Sequence, residues 1–342
     1  MVPPHRQRRP RRCQAAHAKA KRRRHQEKPE HICWTSTAPS HRSFPSPRAV
    51  ESVIKLIDEG STIPFIARYR KEATGGLDDT RLRTLEERLT YLRNLEARKA
   101  EIISSIEDQG KLTNELRASI EGATIMQRVE DLYKPFKKKR ATRASKAREA
   151  GLEPLANLIL SQAKTGKSPL ETAAEFVNAE GGFATAEAAL QGAKDIVAEV
   201  IADDAEHTAA LRAFTKKTAT MAVEATDGEE KSVYEPYYDF SESAQRIPNH
   251  RVLAINRGEK EGKLRVRVRT DQDAAIDQLG RRIVRRNGVF AEALDEAIAD
   301  SYKRLIAPSL ERELRSELTE RAQADAIRVF AKNTESLLQQ RP

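Results

Sequence analysis

From Ala49 onward, apolar positions recur at helical spacing. Val50, Val53, Ile54 and Ile57 share one face, and Gly60 follows as a stop. The chain restarts through Ser61–Pro64 into PFIARYRKE, and Thr74-Gly75-Gly76 predicts a turn. Asp78 is placed to cap a long helix over 78–106, whose stripe is Leu82, Leu85, Leu89, Leu92, Leu95, Ile102 and Ile106. Gly110 ends it, Thr113 can cap a short helix, and 124–133 predicts one more. Short helices with polar turns are expected through Gly182, then a helical pair over 185–202 and 204–216. Asp203 and Glu206 have capping-box spacing ahead of the second of these. No fixed repeat period is present, which argues against a solenoid. Residues 251–256 (RVLAIN) and 263–269 (KLRVRVR), around RGEKEG, predict a β-hairpin. Its second strand points Leu264, Val266 and Val268 one way and Arg265, Arg267 and Arg269 the other. Helix returns over 291–306, and after Pro308 a last helix carries Leu310, Leu314, Leu318, Ala322, Ala326 and Phe330 at four-residue steps. The pattern predicts a mainly α fold with one small β-hairpin.

The first 47 residues show neither a helical nor a strand period. They hold twelve Lys and Arg against Glu27 and Glu30, seven of the fifteen Pro, both Cys and the single Trp. The net charge of +10 belongs wholly to this tail, because the remaining chain balances 49 basic against 49 acidic residues. Such a segment buries too little apolar surface to offset its ordering entropy, so disorder is expected. Three readings stay open: a basic arm gripping phosphates through Lys21, Arg22, Arg23 and Arg24, a transit peptide, or translation from an incorrect start. The sharp change of composition near Arg48 favours the third. Cys13, His17, His31 and Cys33 have spacing unlike common zinc sites, and chance placement is the better reading. Two cysteines in 342 residues argue for a reducing compartment, and no run approaches the roughly 18 apolar residues of a membrane span. A soluble, cytoplasmic protein is expected, with no membrane partner, no metal and no cofactor.

No phosphate loop, nucleophile elbow, dinucleotide fingerprint or H-E-x-x-H is present, so the chain is read as a binding protein and not an enzyme, with no small-molecule substrate. The strongest cluster is YKPFKKKRATRASKAREAGLEPLA. In a charge-balanced body, Lys137, Lys138, Lys139, Arg140, Arg143, Lys146 and Arg148, behind Lys134, form a local positive patch. Such cations neutralise phosphates and release counterions, giving sequence-independent, salt-dependent affinity for RNA or DNA. The competing reading is a solvated loop, or one paired with acids such as Glu130 and Asp131. A second candidate joins Arg68, Arg70 and Lys71 to Tyr69, which could stack on a base. Against it, Ile63, Phe65, Ile66 and Tyr69 could all be core. The Arg265, Arg267 and Arg269 face is a third patch, which equally suits a charged, exposed strand.

The stretches IKLIDEGSTIPFIARYRKEATGGLDDTRLRTLEERLTYLRNLEARK, DLYKPFKKKRATRASKAREAGLEPLA and YYDFSESAQRIPNHRVLAINRGEKEGKLRV resemble the Tex family of bacterial transcription accessory proteins, from about Val50 onward. The resemblance implies a helical N-terminal region with a helix-turn-helix-like element. It further implies an RNase H-like domain, helix-hairpin-helix modules and an OB-fold RNA-binding domain beyond the end of this chain. Lys137, Lys139, Arg140, Arg143 and Arg148 match the family's basic motif, while Lys138 and Lys146 stand where the family commonly has uncharged residues. The expected organisation is a basic tail (1–47), an N-terminal helical domain incomplete at its start (48–133), a basic loop with a helical subdomain (134–250), and the hairpin with long C-terminal helices (251–342). The chain is thus expected to be a fragment that binds nucleic acid. The alternatives are a helical scaffold meeting RNA polymerase, ribosome-associated machinery or the family's further domains, or the inactive product of a frameshifted gene.

Overall fold

A computed structural model describes residues 46–137, 140–226, 232–285 and 288–340. Residues 1–45 of the expected tail, with its four basic residues and its Cys/His set, lie outside these residues, as do Lys138 and Lys139. Contacts divide the chain into two compact units, one up to Thr84 and one from Leu85.

In the first unit, Ser46 caps α1 (Pro47–Asp58), accepting from the Ala49 amide at 3.3 Å. Ala49 and Val53 are buried, and Gly60 leaves the helix with φ +84°. A short α2 (Ile63–Tyr69) packs on α1 and buries Ile63 and Ile66. Asp78 accepts from the Arg81 amide at 2.8 Å, the cap expected for α3 (Asp79–Asp108).

In the second unit, the remainder of α3 packs with α4 (Asn114–Glu121) and α5 (Met126–Tyr133) around Leu95, Ile102, Ile106, Ile120 and Val129. Next come α6 (Arg143–Glu149), α7 (Glu153–Ser161), α8 (Pro169–Ala174), α9 (Ala186–Asp203) and α10 (Ala205–Thr218). The side chain of Asp204, not Asp203, caps α10, taking the amides of Glu206 and His207 at 2.8 and 2.9 Å. Then follow β1 (Thr220–Ala225), β2 (Asp239–Ser243), α11 (Asn249–Lys260), β3 (Leu264–Arg269), α12 (Gln272–Ile283), α13 (Ala291–Asp300) and α14 (Ala307–Leu338). The largest core surrounds α9 and is filled by α6, α7, α8, α12 and α13, with Leu152, Leu155, Ile159 and Phe290 fully buried.

The β structure departs from the expected hairpin. Residues 251–256 are helix, inside α11, and β3 pairs antiparallel with β1, which also carries β2 on its other side. The alternation predicted for β3 holds: Leu264 and Val266 are buried, while Arg265, Arg267 and Arg269 are exposed. The chain also does not break at Pro308. A π-helical turn, Ser301–Ile306, joins α13 to α14, loosening the ladder where proline lacks an N–H. In α14 the buried stripe runs Leu310, Leu314, Leu318 and Ala322 and stops there; Phe330 is 72% exposed.

Candidate nucleic-acid interface

The cationic segment begins where α5 runs into a 3-10 turn, Lys134–Phe136. Lys134 points inward and its Nζ donates to the Ala202 carbonyl at 2.7 Å, closing the C-terminal end of α9. Thr142 and Ser145 then form a capping box, which starts α6. Its Ala144 and Ala147 are buried against α9. Fixing that face inward turns Arg143 and Lys146 toward solvent, and Lys137 and Arg140 ahead of the helix are exposed too. None of these four makes a salt bridge to a described residue.

The two acids just ahead of the segment, Glu130 and Asp131, are engaged elsewhere. Glu130 accepts from Arg98 at 2.7 Å, and Asp131 takes a bidentate pair from Arg212 at 2.8 and 2.9 Å. Arg212 also binds Glu313, so one guanidinium joins α5, α10 and α14. Arg98 is held above the ordinary arginine range by its hydrogen bonds to Glu130 and Glu101. These pairs are structural, and they leave Lys137, Arg140, Arg143 and Lys146 without a salt bridge to a described acid.

Arg148 is different. It is half-buried and donates to Glu199 at 2.9 Å, whose side chain is only 8% exposed. It is therefore a packing residue of α6 on α9, and as a phosphate ligand it is spent. Near it, burial raises the Asp195 carboxyl above the usual range, with Arg304 opposing and Arg143 adding a weaker attraction.

In the first unit, Arg68, Arg70 and Lys71 are exposed at the end of α2 and likewise make no salt bridge to a described residue. The expectation that the neighbouring apolar residues are all core holds for Ile63 and Ile66 only; Phe65 and Tyr69 are 41% and 65% exposed. On β3, Arg269 pairs with Glu224 at 2.6 Å, whereas Arg265 and Arg267 reach solvent from an edge strand. The Val268 amide on that edge is covered by Glu311 at 3.0 Å. The strand's charge thus fits edge protection. Among the described residues, no cluster of His, Cys, Asp and Glu has the make-up of a metal site, and no helix is long and apolar enough to cross a membrane.

Residues 42–107 match the model of the Tex-like protein N-terminal domain, and residues 164–330 match that of the Tex central region. The chain is 44% identical over 305 residues to Protein tex of Bordetella pertussis, covering 84% of this chain and 38% of that protein. It is 42% identical over 297 residues to Transcriptional accessory protein Tex of Neisseria gonorrhoeae, covering 84% and 39%. To the human S1 RNA-binding domain-containing protein 1 it is 30% identical over 317 residues, covering 87% and 31%. The chain spans about two fifths of the length of the first curated relatives it matches, 42% and 38%. Arg68, Arg70 and Lys71 fall within the N-terminal match, whereas Lys137–Arg148 lies between the two matched ranges.

Proposed function

The chain belongs to the Tex family, and from that premise we propose that it is part of a cytoplasmic transcription accessory protein that binds RNA or DNA through its phosphates and catalyses no reaction. One observation carries this: Lys137, Arg140, Arg143 and Lys146 stand exposed on one short stretch with no salt bridge to a described residue, while Glu130 and Asp131 just ahead of them are taken by Arg98 and Arg212. Lys138 and Lys139 add two charges to the same stretch of sequence. Cations so placed bind a polyanion by counterion release and read no sequence. The names of the relatives, a transcriptional accessory protein and an S1 RNA-binding domain-containing protein, support the same reading.

Charge reversal tests it. In the full chain, Lys137→Glu with Arg140→Glu is expected to weaken binding to a labelled oligonucleotide at least tenfold at moderate salt. Reversing Arg265 and Arg267 on the edge strand is expected to change it far less. Equal affinity of the first variant and the unaltered chain would refute phosphate binding by this segment.

A second reading has its own observation. Ile327, Phe330, Leu337 and Leu338 are 66–82% exposed on the last turns of α14. They suit a scaffold role, in which this helix packs on further Tex domains or on RNA polymerase. Co-purification with the polymerase, lost on Phe330→Glu, would support it.

A further inference from the structure

The outer face of α2 does not look like the outside of a packing helix. Ile63 and Ile66 fill its inner face and are only 4% and 0% exposed. The outer face should then be polar, yet it carries Phe65 and Tyr69. These lie four residues apart on successive turns, with ring centroids 5.3 Å apart and planes tilted by 44°. Arg68, three residues after Phe65, neighbours them on the helix surface, and Arg70 and Lys71 continue the chain out of the helix. All three cations are exposed and pair with no described acid. The turn that holds them is fixed from behind: buried Thr74 donates its hydroxyl to the Lys71 carbonyl at 3.1 Å and its amide to the Arg70 carbonyl at 3.2 Å.

We infer that Phe65 and Tyr69 are a stacking surface for the bases of single-stranded nucleic acid, with Arg68, Arg70 and Lys71 holding that strand's phosphates. The inference rests on the phosphate-binding reading above and adds a strand preference to it. Two arguments set the choice of partner. Ring faces stack on base faces, which a duplex keeps covered and a single strand exposes. The cations beside the rings complement a polyanion, and residues 63–71 contain no acid. Stacking is indifferent to base identity, so the surface selects strandedness and leaves sequence unread.

The test uses the full chain, fluorescence anisotropy and three probes: a short oligothymidylate, the same oligomer built from abasic residues, and a duplex. Tyr69→Ala is expected to weaken oligothymidylate binding about tenfold. Its affinity for the abasic oligomer and for the duplex should be unchanged, since the phosphates remain. Tyr69→Phe keeps a ring and should bind like the unaltered chain. Arg68→Glu with Arg70→Glu should weaken binding to both oligomers alike. The inference is overturned if Tyr69→Ala binds oligothymidylate as the unaltered chain does, as it would were the rings reserved for a protein partner. It is equally overturned if oligothymidylate and the abasic oligomer lose affinity by the same factor. Loss of binding on reversing Lys137 and Arg140, with no effect of Tyr69→Ala, overturns this inference alone. Absence of any binding by the unaltered chain overturns both.

Discussion

Glu130 and Asp131 stand a few residues before the cationic segment and could have neutralised part of it. Their partners instead come from 32 and 81 positions away in sequence. Composition reveals that the charges cluster, but only tertiary geometry reveals which are already matched. The same limit applies to Arg148, which sequence groups with Arg143 and Lys146 and the fold assigns to Glu199. This division gives a direct prediction. Arg148→Ala leaves a largely buried carboxylate short of one donor and should cost about 1–3 kcal/mol, read as a lower Tm. Lys146→Ala should leave the Tm nearly unchanged and weaken nucleic-acid binding instead. Equal Tm values for the two variants would argue against a structural Arg148. Phe65 and Tyr69 show a related limit: Ile63, Phe65, Ile66 and Tyr69 offer apolar residues on two faces, and the pattern alone cannot say which face is covered.

At the scale of elements, the helices around α1, α3, α4, α9 and α10 are legible because each pairs an apolar stripe with a capping residue. The β structure is less so. In β1, Met221, Ala222 and Val223 are all buried, so this central strand shows no alternation, although Ala222 stands in register with the exposed Arg267 of β3. In α11, Gly258 and the charged run after it imitate a turn. The glycine is there for another reason: a Cβ at Gly258 would lie 2.6 Å from Leu264 Cδ1 and 3.0 Å from Tyr234 Cδ1. It lets α11 cross close over β3. Gly258→Ala should therefore destabilise the protein by a net of about 1–2 kcal/mol, although alanine is the better helix former. Denaturant unfolding checks the sign, and stabilisation would mean that Leu264 yields freely. The misplaced break at Pro308 has a similar origin, since a π turn that absorbs a proline leaves no compositional mark.

For the molecule as a whole, charge distribution matters more than net charge. The sum of +10 is carried by the first 47 residues, and the rest is formally neutral. Binding measured on the full chain could therefore arise from either region. The slope of log K against log salt separates them, because it counts the phosphates neutralised. Reversing Lys137 and Arg140 should lower the slope for a single strand by about 1.4, two contacts at about 0.7 each. Matched reversal of Arg22 and Arg23 serves as the control. The account predicts that the first pair flattens the slope whether or not the second is altered. A slope that falls only when Arg22 and Arg23 are reversed would place the polyanion contact in the tail and contradict it.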